Sequence, residues 1–150
     1  MIEFRYATIK ELELLVELRI RDLKMFSKQK ISADTINNIR DFYFNGLNNH
    51  TCFTILGYVH DRIVASGTLY LYQVMPSNDN PSGIMGQLTN IFVEKQYRHQ
   101  KIATKIVTEL IKIGEQKCGI LCLNSSNEAL GLYQKLGFQR KERYMLRKCH

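Results

Sequence analysis

The chain has 150 residues, 45% of them apolar, and a formal net charge of +7. A chain of this length makes one domain, residues 1–150, and buries roughly 70% of the surface it exposes unfolded. Its apolar fraction argues against disorder. No apolar run reaches the roughly 20 residues that span a bilayer. Met1 to Tyr6 hold an acid, Glu3, in place of the apolar core of a secretory signal. The cytoplasm is the expected compartment.

Ile2–Tyr6 reads as a first strand. Thr8 and Glu11 form a capping box, in which each side chain satisfies an amide of the other's backbone. The helix that follows carries a core stripe of Leu12, Leu15, Val16, Leu23 and Phe26. A second helix is expected over Ala33–Leu47, with Ile36, Ile39, Phe42 and Tyr43 on one side. Cys52–Val59 and Ile63–Val74 read as strands around a turn at His60–Arg62. Pro76 and Pro81 mark Met75–Gly83 as a loop.

Ile84–Val93 is a further strand. Ala103–Lys117 is an amphipathic helix with Ala103, Ile106, Val107, Leu110 and Ile111 inward, and Gly119 is expected to end it. Ile120–Leu123 is a short buried strand. Glu128–Leu136 is a short helix ending at Gly137. Phe138–Lys141 and Tyr144–Arg147 read as two final extended pieces. The order is β-α-α-β-β-β-α-β-α-β-β, an α/β (α+β) mixed sheet. Its βαβ unit makes Ile84–Val93 and Ile120–Leu123 parallel, with a right-handed crossover; the remaining pairs are expected to be antiparallel.

The four cysteines, Cys52, Cys118, Cys122 and Cys149, match no zinc spacing. They read as reduced, mostly buried thiols, and no metal is expected. A basic surface attracts polyanions, either nucleic acid or a phosphate-rich nucleotide cofactor. The sequence has no aromatic-plus-basic repeat that reads single strands, so nucleic acid is not the expected partner. A nucleic-acid binder would lose affinity steeply with salt.

The chemistry concentrates where Gln87–Val93 runs through Glu94–Lys101 into a helix. A helix N-terminus presents unpaired amides and partial positive charge, which suits phosphate. Arg98 and Lys101 add charge there. The segment lacks the glycine-rich patterns of triphosphate hydrolases and dinucleotide folds.

The run from Asn90 to Ala103 resembles the central motif of the GNAT N-acetyltransferase superfamily. That motif has Arg or Gln, two variable residues, Gly, one variable residue, then Gly or Ala. Arg98 and Ala103 fit it, and Lys101 replaces the middle glycine. Ser126–Phe138, with Leu132-Tyr133 and Leu136-Gly137-Phe138, resembles the family's later motif. The resemblance covers Ile2 to Arg147 in element order and Gly86–Phe138 in motif detail.

That resemblance implies a fold in which the strand before the turn splays from its parallel neighbour. It places the pantetheine arm of acetyl-CoA along Ile91, Phe92 and Val93, and the pyrophosphate on the turn formed by Arg98, His99, Gln100, Lys101, Ile102, Ala103 and Thr104. Lys101 either offers its ammonium or points to solvent. Either Ser126 or Asn127 would bond the cofactor. Tyr133 resembles the family's general acid: a thiol of pKa roughly 8.5 leaves more readily when a phenol of pKa ~10 protonates it.

An amine of pKa near ~10 is only about one part in a thousand neutral at pH 7, so a proton acceptor is needed. Glu94 is the nearest carboxylate, and Asn90, Thr89 or Gln87 could instead order a water. Amides near Ile91–Val93 could hold the oxyanion. Arg19, Asp22, Tyr43 and Tyr72 are candidate contacts on the acceptor side. The resemblance implies an N-acetyltransferase that moves an acetyl group to a primary amine of a small molecule by direct attack in a ternary complex. Alternatives are a protein or peptide acceptor, or a non-catalytic acyl-CoA-binding module. A homodimer is one assembly open to it.

Overall fold

A computed structural model describes residues 1–150. In chain order the elements are β1 (Glu3–Tyr6), a 3-10 turn (Ile9–Glu11), α1 (Leu12–Phe26), α2 (Ala33–Asn48), β2 (Cys52–Val59), β3 (Arg62–Gln73), β4 (Ile84–Val93), a second 3-10 turn (Lys95–Tyr97), α3 (Ile102–Lys117), β5 (Ile120–Leu123) and α4 (Leu130–Lys135). The strands form one five-stranded sheet in the order β1-β2-β3-β4-β5. The first three pairings are antiparallel and β4–β5 is parallel. This is the mixed α/β sheet expected from the order of elements.

Side chains alternate across the sheet and separate two cores. On one face Ile55, Ala65, Leu69 and Leu88 pack with Ile102, Ile106, Val107 and Leu110 of α3 and with Tyr133 of α4. On the other, Cys52 and Leu56 pack with Leu15 of α1 and Tyr43 of α2. Thr54 and Thr68, paired across β2 and β3 on that second face, satisfy each other at 2.7 Å. Ile106, Val107 and Leu110 of α3 are buried as its helical period predicts, Ile102 and Gly114 join them, and Ala103 and Ile111 are only half-buried.

The capping box forms, with Thr8 N donating to Glu11 at 2.8 Å, but it caps the 3-10 turn that leads into α1. Phe26 departs from the expected stripe. It is the last residue of α1 and stands 77% exposed. Gly119 does not end α3 by a left-handed turn; the chain leaves through extended Cys118. A Cβ on Gly119 would run into the buried side chain of Asn80, which ties the Met75–Gly83 loop by donating to the Ile84 carbonyl at 3.0 Å. Gly137, at φ 95°, does end α4.

The two final strands are not formed. Residues 138–150 carry no helix or strand, and Tyr144, Met145 and Leu146 are exposed. The charged run Arg140-Lys141-Glu142-Arg143 separates the two apolar pieces. A solvated charged run gains little by docking on a strand edge.

Candidate active site

Two interruptions in β4 make the site. The first is on the edge facing β5. Met85, Gly86, Gln87 and Leu88 pair with Ile120, Leu121, Cys122 and Leu123, and the pairing stops there. β5 gives way to the polar turn Asn124–Asn127, so from Thr89 to Val93 this edge of β4 has no neighbouring strand. Ile91, Phe92 and Val93 lie on that open stretch and are half-buried.

The second interruption is a bulge against β3. Ser66 pairs with Phe92 and Thr68 with Thr89, so Asn90 and Ile91 together oppose Gly67. Asn90 takes φ 54°, a left-handed conformation that Asn tolerates better than most residues. Gly67 has no room for a side chain: a Cβ would stand 2.5 Å from Ile106 and 2.9 Å from Ile91. The bulge bends β4 and turns the Asn90 side chain toward the helices. Its Oδ1 accepts from Arg19 of α1 at 2.9 Å, and its Nδ2 donates to the Tyr43 hydroxyl of α2 at 2.9 Å. Burial pushes the Tyr43 hydroxyl up to about 12.

Beyond Val93 the chain passes through the second 3-10 turn to α3. The Arg98 side chain folds back, and its Nε donates to the Val93 carbonyl at 3.0 Å. Arg98 thereby braces the turn. His99 at φ 63° and Lys101 at φ 62° are both left-handed. Lys101 is the N-cap of α3, with no side-chain cap bond. Its dihedral explains why glycine suits this position.

The amides of His99, Gln100 and Lys101 donate to no backbone carbonyl, and those of Ile102, Ala103 and Thr104 lack the partner that the preceding turn would supply inside a helix. The result is a run of unpaired N–H groups at the positive end of a 16-residue helix. Such an array is an anion cradle.

Tyr133 sits on α4 and is 7% exposed, its ring at a T-shaped angle to Phe138 with centroids 6.0 Å apart. Burial raises its pKa above the ordinary phenol value. Its hydroxyl makes no hydrogen bond in the chain, while no fully buried side-chain oxygen is left unpartnered, so the hydroxyl reaches the molecular surface. Ser126 Oγ accepts from Ala129 N at 3.3 Å and so shapes the turn before α4. Asn127 is exposed.

Glu94, the nearest carboxylate in sequence, is committed elsewhere. Arg62 reaches both of its oxygens, at 3.0 and 2.9 Å. Tyr72 lies with its hydroxyl 3.4 Å from Cys122 Sγ. Directly paired residues share a face, so Tyr72, Gln87 and Cys122 lie on the side that carries α1 and α2. No group of three or more His, Cys, Asp or Glu side chains stands together to hold a metal, and no helix is long and apolar enough to cross a membrane.

The polar junction of Arg19, Asn90 and Tyr43 was not readable as a unit. Its one signal is an Asn in the middle of an otherwise apolar strand, where Asn is disfavoured unless a bulge needs it.

Comparison with known proteins places this geometry. Residues 49–140 match the model of the acetyltransferase (GNAT) domain. The chain is 31% identical over 85 residues to glucosamine 6-phosphate N-acetyltransferase of Trypanosoma brucei brucei, a match covering 56% of each protein, so the chain spans about half the length of that relative. The fold superposes on a predicted acetyltransferase of Clostridium acetobutylicum, solved with acetyl-CoA, at a TM-score of 0.88 and 25% identity, covering 99% of this chain and 96% of that one. It also superposes on glucosamine-6-phosphate N-acetyltransferase of Arabidopsis thaliana at 0.71 and 17% identity, covering 100% and 99%. Matched over most of its length by the domain model and superposing on these structures end to end, the chain belongs to the GNAT acetyltransferase family.

Proposed function

We propose that residues 1–150 act as one N-acetyltransferase domain that moves an acetyl group from acetyl-CoA to a primary amine of a small molecule. The observation that carries this reading is the run of unpaired amides from His99 to Thr104, set beside the open edge of β4. The amides suit a pyrophosphate, and the strand edge at Ile91–Val93 suits the amide groups of a pantetheine arm. The Clostridium acetobutylicum neighbour, solved with acetyl-CoA, has the same fold over nearly the whole chain.

In this reading Arg98 holds the turn through Val93, and Lys101, left-handed at the helix cap, keeps its ammonium on the solvent side of the cradle. Ser126 shapes the turn before α4, which leaves the exposed amide of Asn127 to meet the cofactor. Amides of Ile91–Val93 stabilise the oxyanion as the amine attacks. Tyr133, a phenol that carries its proton at neutral pH, protonates the departing thiolate. The relative named for glucosamine 6-phosphate makes an amino-sugar phosphate the first acceptor to test.

The deciding experiment is thermal unfolding with and without acetyl-CoA. A ligand at a hundred times its Kd stabilises by about 2.7 kcal/mol. That shift is expected with acetyl-CoA, followed by thiol release when an amine is added. No shift with acetyl-CoA or coenzyme A would overturn the reading.

A further inference from the structure

Tertiary folding brings one carboxylate of α1 to the bend of β4. Asp22, with Arg21, Ser66, Asn90 and Phe92, lines a narrow crevice between α1 and the bulge. Arg19 ties the carboxylate to the bulge, since its Nη1 donates to Asp22 Oδ2 at 3.3 Å and to Asn90 Oδ1 at 2.9 Å. Asp22 Oδ1 accepts no hydrogen bond from the chain. No fully buried side-chain oxygen lacks a partner, so Oδ1 keeps contact with solvent, and Asp22 lines the crevice. Glu94, in contrast, has both oxygens on Arg62.

Resting on the acyltransferase reading above, we propose that Asp22 is the general base, taking through Oδ1 a proton from the ammonium group of the acceptor at the bend of β4. The neutral amine nitrogen then bonds to the thioester carbonyl carbon. The carbon–sulfur bond breaks, and its electron pair leaves on sulfur. Tyr133 gives its proton to that sulfur and regains one from the nitrogen, leaving a neutral amide and a thiol. Asp22 returns the first proton to solvent. One proton is thus released per transfer, and no other reactant is consumed.

The surroundings of Asp22 suit this role. Burial raises its carboxyl above the ordinary value, against the pull of Arg19 and Arg21, which makes it a stronger base than an exposed aspartate. The charged groups that face it are those two arginines of its own helix. β3 and β4 present only Ser66, Asn90 and Phe92, and α2 presents the neutral Tyr43 hydroxyl through Asn90. Arg21 is held over the Phe92 ring at 3.9 Å. Two nearby guanidinium groups also lower the pKa of an ammonium that enters, which eases its loss of a proton.

The test compares wild type, Asp22→Asn and Asp22→Glu at saturating acetyl-CoA across a panel of primary amines, with thermal stabilisation by acetyl-CoA measured for each. Asp22→Asn is expected to keep the acetyl-CoA shift and to lose about a hundredfold or more in turnover at pH 7. Its residual rate should climb about tenfold per pH unit as free amine accumulates. Asp22→Glu should regain part of the rate with a wild-type-shaped profile. A purely structural role would lower the rate equally at every pH.

Turnover of Asp22→Asn within threefold of wild type would overturn the proposal. So would an unchanged profile, or a wild type that binds acetyl-CoA and acetylates no amine of the panel. Loss on Glu94→Gln instead would return the role to Glu94. Absence of any acetyl-CoA shift in wild type would bring down the underlying reading and this proposal with it.

Discussion

Asn90 in the bulge of β4 accepts a 2.9 Å hydrogen bond from Arg19 of α1, across 71 positions of sequence. The same side chain donates to Tyr43 of α2. One amide thus fastens both helices to the strand whose far edge is open.

Replacing Asn90 with Ala removes both bonds and leaves an alanine at φ 54°. The expected loss is about 2–3 kcal/mol, from a charge-assisted bond, a neutral bond and left-handed strain. Urea unfolding should show a lower midpoint with an unchanged slope. Asn90→Gly should recover about 1 kcal/mol of that, since the strain is relieved and the bonds are not restored.

Lys101 stands where the family motif has glycine, at φ 62°. Lys101→Gly is expected to hold or raise stability, by up to about 1 kcal/mol, because the gain at the left-handed position offsets the added freedom of the unfolded chain. Lys101→Val should cost about 1–2 kcal/mol, since a β-branched residue tolerates that region poorly. Calorimetric midpoints of the two variants would separate them.

Tyr133→Phe tests the acid. Its hydroxyl has no partner in the chain, so the thermal midpoint should stay within about 1 °C of wild type, a near-neutral change. Turnover at saturating acetyl-CoA should fall by roughly a hundredfold. Unchanged turnover would remove the acid role.

Alkaline stability follows from two buried groups. Burial pushes the Cys52 thiol up to about 12 and the Tyr43 hydroxyl up to about 12. Both are raised in the folded chain, so above pH 9 for the thiol and above pH 10 for the phenol the unfolded chain has lost a proton that the folded chain keeps. Fewer protons on the unfolded state means that stability falls as pH rises. The contribution is whole below pH 9 and is lost toward pH 12. Denaturant midpoints between pH 8 and 11 should show the decline, and Cys52→Ala should make it shallower, with Cys118, also raised by burial, still contributing from about pH 9.

Family and the order of elements as far as α4 were legible because they are local. The 3.6-residue period of α3, the strand-to-helix turn at Glu94–Thr104, and Tyr133 between Leu132 and the Leu136–Phe138 ending all lie within short stretches. The capping box at Thr8 was readable for the same reason, while its 3-10 form was not.

What only the tertiary structure decided depends on register between distant segments. Where β5 stops alongside β4, which residue of the β3–β4 ladder bulges, and that Arg62 holds Glu94 are outcomes of pairing across the sheet. No periodicity within one strand encodes them. Phe138–Lys141 and Tyr144–Arg147 were expected as final extended pieces, yet the sheet supplies them no partner, and Tyr144 to Leu146 stay exposed. Sequence by itself determined what kind of protein this is, because turn chemistry and helical period act over a few residues. The fold alone set Asp22 and Asn90 beside each other, because hydrogen-bond register across strands and helices acts over the whole chain.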